Sequence, residues 1–147
     1  IKATYHDPCY LGRYNGIYDD PRDVMKLCGI DLVEMPRNKE NSFCCGAGGG
    51  RVWLPDHDDM TQRPSENRIA EAVAVGVRHF IVACPKDMTM YADAVKTSGN
   101  EDNMAVKDMV DFVLEAMDLP EPIMEETASS DPNEEVSTEP QSEGLDL

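Results

Sequence analysis

Cys44 and Cys45 stand side by side and run directly into Gly46-Ala47-Gly48-Gly49-Gly50. Adjacent cysteines bridge to each other only with difficulty, and glycine serves where backbone must fold tightly around something. Two further cysteines flank the pair at long range. Cys9 lies in His6-Asp7-Pro8-Cys9, with 34 residues between it and Cys44; Cys84 lies in Ala83-Cys84-Pro85-Lys86-Asp87, with 38 residues between Cys45 and it. Thiolates gathered from three separated loops, with a glycine collar, suit an iron–sulfur cluster better than other inorganic centres. A structural zinc module, the bland metal alternative, favours close C-x₂₋₄-C knuckles that this chain lacks. The odd count of five cysteines argues against a disulfide framework. Cys28, alone in Lys26-Leu27-Cys28-Gly29, reads as a small buried apolar side chain.

Iron binds a thiolate, so the surroundings must favour negative charge on sulfur. At a strand-to-helix junction Cys84 would be the N-cap of a helix opened by Pro85, where unpaired amides and the helix dipole stabilise an anion. Gly46, Gly48, Gly49 and Gly50 leave amide hydrogens unobstructed beside Cys45, free to donate to sulfur and raise a reduction potential. Gly46-x-Gly48-x-x-Arg51 lacks the third glycine of a dinucleotide fingerprint, and no Gly-Lys-Ser/Thr phosphate loop occurs. His6, next to Asp7-Pro8-Cys9, has two readings: a donor or proton relay near sulfur, or a structural hydrogen bond fixing the loop. His57 reads as a surface loop residue and His79 as a strand-edge residue. Arg13, Arg37 and Arg51 lie in the cysteine-bearing loops, either offsetting the charge of a cluster or simply solvated, the latter expected of Arg37.

The elements that must position these residues alternate. Ile1–His6 reads as a strand, and a loop over Asp7–Asp20 carries Cys9. A helix from Pro21 to about Cys28 follows, capped by Asp20 and stopped by Gly29. Ile30–Met35 is a second strand. The stretch from Pro36 to Pro64 is a loop long enough to demand a functional reason. Ser65 is expected to cap a helix with Ile69, Val73 and Val77 inward, ended near Gly76. His79–Ala83 is a strand delivering Cys84 to a helix that runs to about Lys96. Met104–Val106 is a fourth strand, and Asp108 caps a last helix with Val110, Val113, Leu114 and Met117 inward. This pattern predicts an α/β domain: a small Rossmann-like parallel sheet with right-handed crossovers, flanking helices and long cysteine-bearing loops. Cys9 and Cys84 then follow the carboxyl ends of strands, where open α/β sheets place their sites.

The chain has 147 residues and a formal net charge of -16, unevenly spread. Residues 121–147 hold nine acids and no Lys or Arg, leaving 20 acids against 13 bases in the first 120. An acidic domain without a basic stripe points away from nucleic acid. The acidic tail has no aromatic residue, so it is expected to be disordered, with the domain occupying residues 1–118 and the tail 119–147. No segment approaches the roughly 18 unbroken apolar residues of a membrane helix. Ile1 opens directly into a strand-like segment, which reads as the C-terminal piece of a longer protein.

The segments Tyr5-His6-Asp7-Pro8-Cys9-Tyr10-Leu11-Gly12-Arg13, Asn41-Ser42-Phe43-Cys44-Cys45-Gly46-Ala47-Gly48-Gly49 and Ala83-Cys84-Pro85 resemble the cysteine-rich CCG domain of heterodisulfide reductase catalytic subunits. The resemblance spans roughly residues 1–117. Within the family the chain is similar to the K subunit of the sulfite-reductase-associated membrane electron-transfer complex, and its first segment to the iron–sulfur protein linking electron-transferring flavoprotein to menaquinone. The resemblance implies an iron–sulfur centre held by Cys9, Cys44, Cys45 and Cys84, a [4Fe–4S] cluster of cubane or non-cubane form. The family pattern ends in Cys-x-x-Cys, and here its last position is Asp87. Asp87 is therefore either a carboxylate ligand or a first-turn acid favoured by the helix dipole. The resemblance further implies an oxidoreductase role, passing electrons to a disulfide or related sulfur substrate in anaerobic sulfur respiration. Its partners would be the N-terminal part of a parent protein, a quinone-linked membrane subunit, and a small sulfur-carrier protein or disulfide. Such a protein would be cytoplasmic, peripheral on the inner face of the membrane. The rival within the family is a pure electron-transfer module between electron-transferring flavoprotein and menaquinone.

Overall fold

The computed structural model describes residues 1–56 and 59–117. His57 and the expected tail lie outside the described residues. Four strands and four helices alternate: β1 (Lys2–Tyr5), α1 (Asp19–Leu27), β2 (Asp31–Leu32), α2 (Pro64–Ala74), β3 (His79–Val82), α3 (Pro85–Thr97), β4 (Ala105–Asp108) and α4 (Met109–Ala116). All strand pairs are parallel, in the order β2-β1-β3-β4. The α/β parallel sheet expected from the alternation is borne out. The chain winds from β1 outward to β2, then returns to β3 beside β1 and winds the other way to β4. The switch point therefore falls between β1 and β3, whose carboxyl ends lead to Cys9 and Cys84.

The period of two along β1 and β3 sends alternate side chains to opposite faces. Ala3, Tyr5 and Ile81 pack with Met25, Ile30 and Phe112 on the side of α1 and α4. Phe80 and Val82 pack with Ile69, Ala72, Tyr91, Ala94 and Val95 on the side of α2 and α3, a cluster that also takes in Met35, Cys45 and Ala47. Both faces are covered, as parallel sheets require.

Several elements depart from the expected boundaries. α1 begins at Asp19, with Tyr18 rather than Asp20 at the cap. Pro21 sits at the third helical position, where its missing N–H is still outside the hydrogen-bond ladder. β2 is only two residues long because the chain turns inward to bury Met35 just before Pro36. The 36–64 loop contains two short 3₁₀ turns, Lys39–Asn41 and Gly48–Trp53. α2 is capped at Arg63, whose amide donates to Glu66 Oε2 at 3.2 Å, so Ser65 lies inside the first turn and is fully buried. Its inward stripe is Ser65, Arg68, Ile69 and Ala72; Val73 is half-buried and Val77 follows the helix. His79 opens β3, which is an inner strand, not an edge. Asp108 caps α4 as expected, its Oδ1 accepting from Val110 N at 2.9 Å. The helix is nevertheless anchored by Phe112, with Val110 and Met117 exposed and Val113 and Leu114 half-buried. With Phe112 turned inward, Val110 two positions earlier is carried to the opposite side of the helix.

Candidate metal centre at the sheet switch point

The Cys9 and Cys44 loops are locked together through Asp7. Leaving β1, the chain places Asp7 in a buried position, where its carboxylate receives Arg22 Nη1 at 2.7 Å, Arg22 Nη2 at 3.0 Å and the Lys39 amide at 2.8 Å. Arg22 also reaches Glu34, with Nε to Oε1 at 2.6 Å. Among the described residues, Lys39 is the non-glycine residue with positive φ, 49°, and its amide donates to Asp7 in that conformation. Ser42 Oγ donates to Asp7 O at 3.2 Å, and Arg13 Nη2 to Ser42 O at 2.8 Å. Both loops are thus pinned within a few residues of their cysteines.

At the cysteine pair, Cys44 is exposed and Cys45 is buried. Backbone amides point at both sulfurs: Gly46 N lies 3.3 Å from Cys44 Sγ and Ala47 N 3.5 Å from Cys45 Sγ. Gly46 has φ of 88°, and a Cβ there would come within 3.3 Å of Pro64 Cγ, so this turn needs glycine. Gly48 opens the following 3₁₀ stretch, which kinks at Gly49 with φ of 61°, and nothing lies within 4 Å of where a Cβ would stand at either.

Cys84 caps α3 in extended conformation, with Pro85 at the first helical position. One turn in, Asp87 is 3% exposed. Burial raises the pKa of Asp87, while the thiols of Cys45 and Cys84 lie near enough to draw it back down. Its Oδ2 is buried and has no hydrogen-bond partner among the described residues. Burial also raises the pKa of Cys45, the Ala47 amide opposing and Asp87 adding to the rise. Cys45 is therefore a thiol in the metal-free chain and would have to give up its proton to bind a metal.

His6 closes the floor of the site. It is 1% exposed, with Tyr91 Oη 3.2 Å from Nδ1 and Asp87 Oδ2 3.6 Å from Nε2, beyond hydrogen-bond range. Burial, with the charges of Arg68 and Arg13, lowers its pKa from 6.5 to about 3, so the ring is neutral and makes no ion pair with Asp87. Tyr91 packs edge-on against Phe80 with centroids 4.8 Å apart.

The structure thus brings together Cys45, Cys84 and Asp87. Cys44 adjoins Cys45, and Cys9 is half-buried at the same end of the sheet. Cys28 packs on the opposite face, against the α1/α4 cluster. Among the described residues, no three His, Cys, Asp or Glu side chains stand close enough to hold a single metal ion. Ligands of a multi-iron cluster stand further apart, because each binds a different iron. The donor set fits such a group: soft sulfurs, a buried carboxylate oxygen without a partner, and amides aimed at sulfur.

Arg37 is not the solvated residue expected. Its amide donates to Glu71 Oε1 at 2.7 Å, its Nη2 to Asn67 Oδ1 at 2.6 Å, and its guanidinium lies 4.0 Å from the centre of the Phe43 ring. Arg51 is engaged within its own loop, by Leu54 O, Pro55 O and Asp56. Sequence reasoning passes over Asp7, Arg22, Tyr91 and Arg68. The last has a legible signal: Ser65, Arg68, Ile69 and Ala72 form one helical stripe, and Arg68 falls on it.

A doubly wound parallel sheet with cysteines and a buried carboxylate at its switch point defines a small cofactor-binding α/β domain. Residues 3–89 match the cysteine-rich CCG domain, and the chain belongs to that family. It is 38% identical over 123 residues to the EtfAB:quinone oxidoreductase of Syntrophomonas wolfei, covering 80% of this chain and 17% of that protein. It is 38% identical over 122 residues to a subunit of the dihydromethanophenazine:CoB–CoM heterodisulfide reductase of Methanosarcina mazei, covering 80% and 28%. It is 44% identical over 100 residues to the second iron–sulfur subunit of the Hdr-like menaquinol oxidoreductase of Archaeoglobus fulgidus, covering 64% and 18%. The chain thus spans less than a third of the length of these relatives. No solved structure matches it. The family resemblance, the iron–sulfur cofactor and an oxidoreductase-associated role are borne out. Among the described residues, no helix is long and apolar enough to cross a membrane.

Proposed function

We propose that this chain is an iron–sulfur domain of heterodisulfide-reductase type, in which Cys9, Cys44, Cys45 and Cys84 hold a [4Fe–4S] centre and single electrons are passed to a disulfide or related sulfur substrate. Asp87 supplies a carboxylate where the family pattern has its last thiolate. The observation behind this reading is the convergence of Cys45 and Cys84 on the buried carboxylate of Asp87, whose Oδ2 lacks a partner. The bound cluster supplies one-electron redox chemistry. Gly46 N–H and Ala47 N–H hold the sulfurs of Cys44 and Cys45 by hydrogen bonds. The Asp7–Arg22 bracket fixes the loops of Cys9 and Cys44 relative to each other, and Gly48 and Gly49 shape the collar after the pair. His6, Tyr91 and Phe80 exclude water from the inner side, while exposed Cys44 marks the side open to a substrate or partner.

In this reading the domain works within a longer protein beside a quinone-linked membrane subunit on the inner face of the cytoplasmic membrane. Its electrons go to a small sulfur-carrier protein or a disulfide in anaerobic sulfur respiration. A second reading, electron transfer alone between electron-transferring flavoprotein and menaquinone, is supported by the name of the Syntrophomonas wolfei relative. Iron and acid-labile sulfide analysis of anaerobically prepared protein, with EPR spectra before and after adding a thiol substrate, tests both. Iron and sulfide with substrate-dependent paramagnetism support disulfide chemistry. A cluster indifferent to thiols favours electron transfer alone, and zinc without sulfide removes both.

A further inference from the structure

Arg68 is the largest fully buried side chain among the described residues, and only part of its guanidinium is used. Its Nη1 donates to Arg37 O at 2.7 Å and to Glu71 Oε2 at 2.9 Å. Nε and Nη2 are buried without a partner, and so is the Oγ of Ser65, one turn earlier on the same face of α2. Glu71 does not cancel the charge alone, since Arg37 also binds it, with Nε to Oε2 at 2.9 Å. Two guanidinium groups therefore share one carboxylate. A permanently charged group with dry, unmet donors is costly unless an anion completes it.

The matching negative groups lie in the same interior. Arg68 shares the buried stripe of α2 with Ile69 and Ala72, which pack in one cluster with Cys45, Ala47 and Tyr91, and Tyr91 Oη lies 3.2 Å from His6 Nδ1. Asp87 Oδ2 is left unpartnered there as well. We infer that Arg68, assisted by Ser65, is the built-in counter-charge of the centre held by Cys45 and Cys84, with Nε–H and Nη2–H left free of other partners. This rests on the cluster reading above. Reduction by one electron adds negative charge to a centre already negative through its thiolates, so a fixed buried cation favours the reduced form and raises the midpoint potential. Arg68 is accordingly a tuning and positioning residue, not a ligand.

The test uses the whole chain, reconstituted anaerobically with iron and sulfide. Midpoint potentials are read by EPR during titration with dithionite, and melting temperatures are taken with and without the cluster. Arg68→Met is expected to move the midpoint to a more negative value, and Arg68→Lys, which keeps the charge, to fall between it and the parent. Arg78→Gln, a charge change ahead of the amino end of β3, is expected to leave the midpoint unchanged. The rise in melting temperature on cluster uptake should be smaller in Arg68→Met than in the parent, a difference that a merely structural arginine would not produce. Equal midpoints and an equal rise in the parent and Arg68→Met overturn the inference while leaving the cluster reading intact. If Arg68→Met does not fold, Arg68→Lys and Arg68→Gln are compared in the same way, and equal midpoints in those two overturn it. A parent chain that takes up neither iron nor sulfide removes the reading on which the inference rests.

Discussion

The two faces of the sheet are built on different terms. On the α1/α4 side, Ala3, Met25, Ile30, Ile81 and Phe112 make an apolar layer whose buried polar atoms without a partner among the described residues are two, Tyr5 Oη and His79 Nδ1, the His79 ring standing edge-on to Phe112. On the α2/α3 side the same sheet buries Thr4, His6, Ser65, Arg68 and Asp87 beside Cys45, Phe80 and Tyr91. Five side-chain atoms there lack a partner among the described residues: Thr4 Oγ1, Ser65 Oγ, Arg68 Nε and Nη2, and Asp87 Oδ2. An apolar layer gains stability from burial alone, whereas dry polar groups lose it until something satisfies them. One face therefore holds the fold, and the other gives up stability to build a site.

Mutations should separate the faces, beginning with the largest effect. Phe112→Ala, which empties the apolar layer, is expected to destabilise the chain by about 3–5 kcal/mol in denaturant unfolding while iron per folded molecule stays constant. Loss of iron in step with stability would show that the faces are not separable. Asp7→Ala leaves Arg22 and the Lys39 amide without their acceptor and is expected to cost about 2 kcal/mol. It should also slow cluster uptake, because both cysteine loops lose their common anchor. Glu34→Ala, at the more exposed end of the same network, should cost no more than about 0.5–1 kcal/mol and leave uptake unchanged.

Asp87 gives the sharpest contrast. Asp87→Asn removes a buried acid whose oxygen is unmet, so the metal-free chain should change by no more than about 1 kcal/mol in either direction. The visible and EPR spectra of the loaded protein should shift, and Asp87→Cys should shift them differently. Spectra unchanged in both variants would take Asp87 out of the ligand set. The smallest effect is expected at Cys28, on the apolar side: Cys28→Ser should retain full iron content, against its loss or conversion in Cys9→Ser, Cys44→Ser, Cys45→Ser and Cys84→Ser.

Signals in the sequence are reliable where the chemistry is local. Pro85 after Cys84 places that cysteine at a helix cap, and Asp108 caps α4, because both depend on a few neighbouring residues. Signals that depend on a distant partner mislead. Val110 and Met117 have the spacing of an inward face, yet Phe112 is the residue that finds the pocket among Ala3, Tyr5 and Ile81. Ser65 has the chemistry of a cap, but the helix is capped two residues earlier, at Arg63, with Pro64 opening it and Ser65 turned into the interior. Arg37 is a charged loop residue in sequence and a bracket to α2 in space, since Glu71 and Asn67 are 34 and 30 positions away.

The alternation of strands and helices, the three cysteine-bearing segments and the glycine turn after Cys45 were determined by the sequence itself, through propensity, capping and spacing. Strand order was not, because a parallel strand gains its partners only from crossovers and from the burial of both faces. Placing β1 beside β3 sets Cys9 and Cys84 at one switch point. Packing α3 on α2 across that face then buries Asp87 against Cys45 and leaves Arg68 charged and incompletely paired in the interior. Those juxtapositions exist only once the sheet has closed over them, since no short stretch of chain holds both partners.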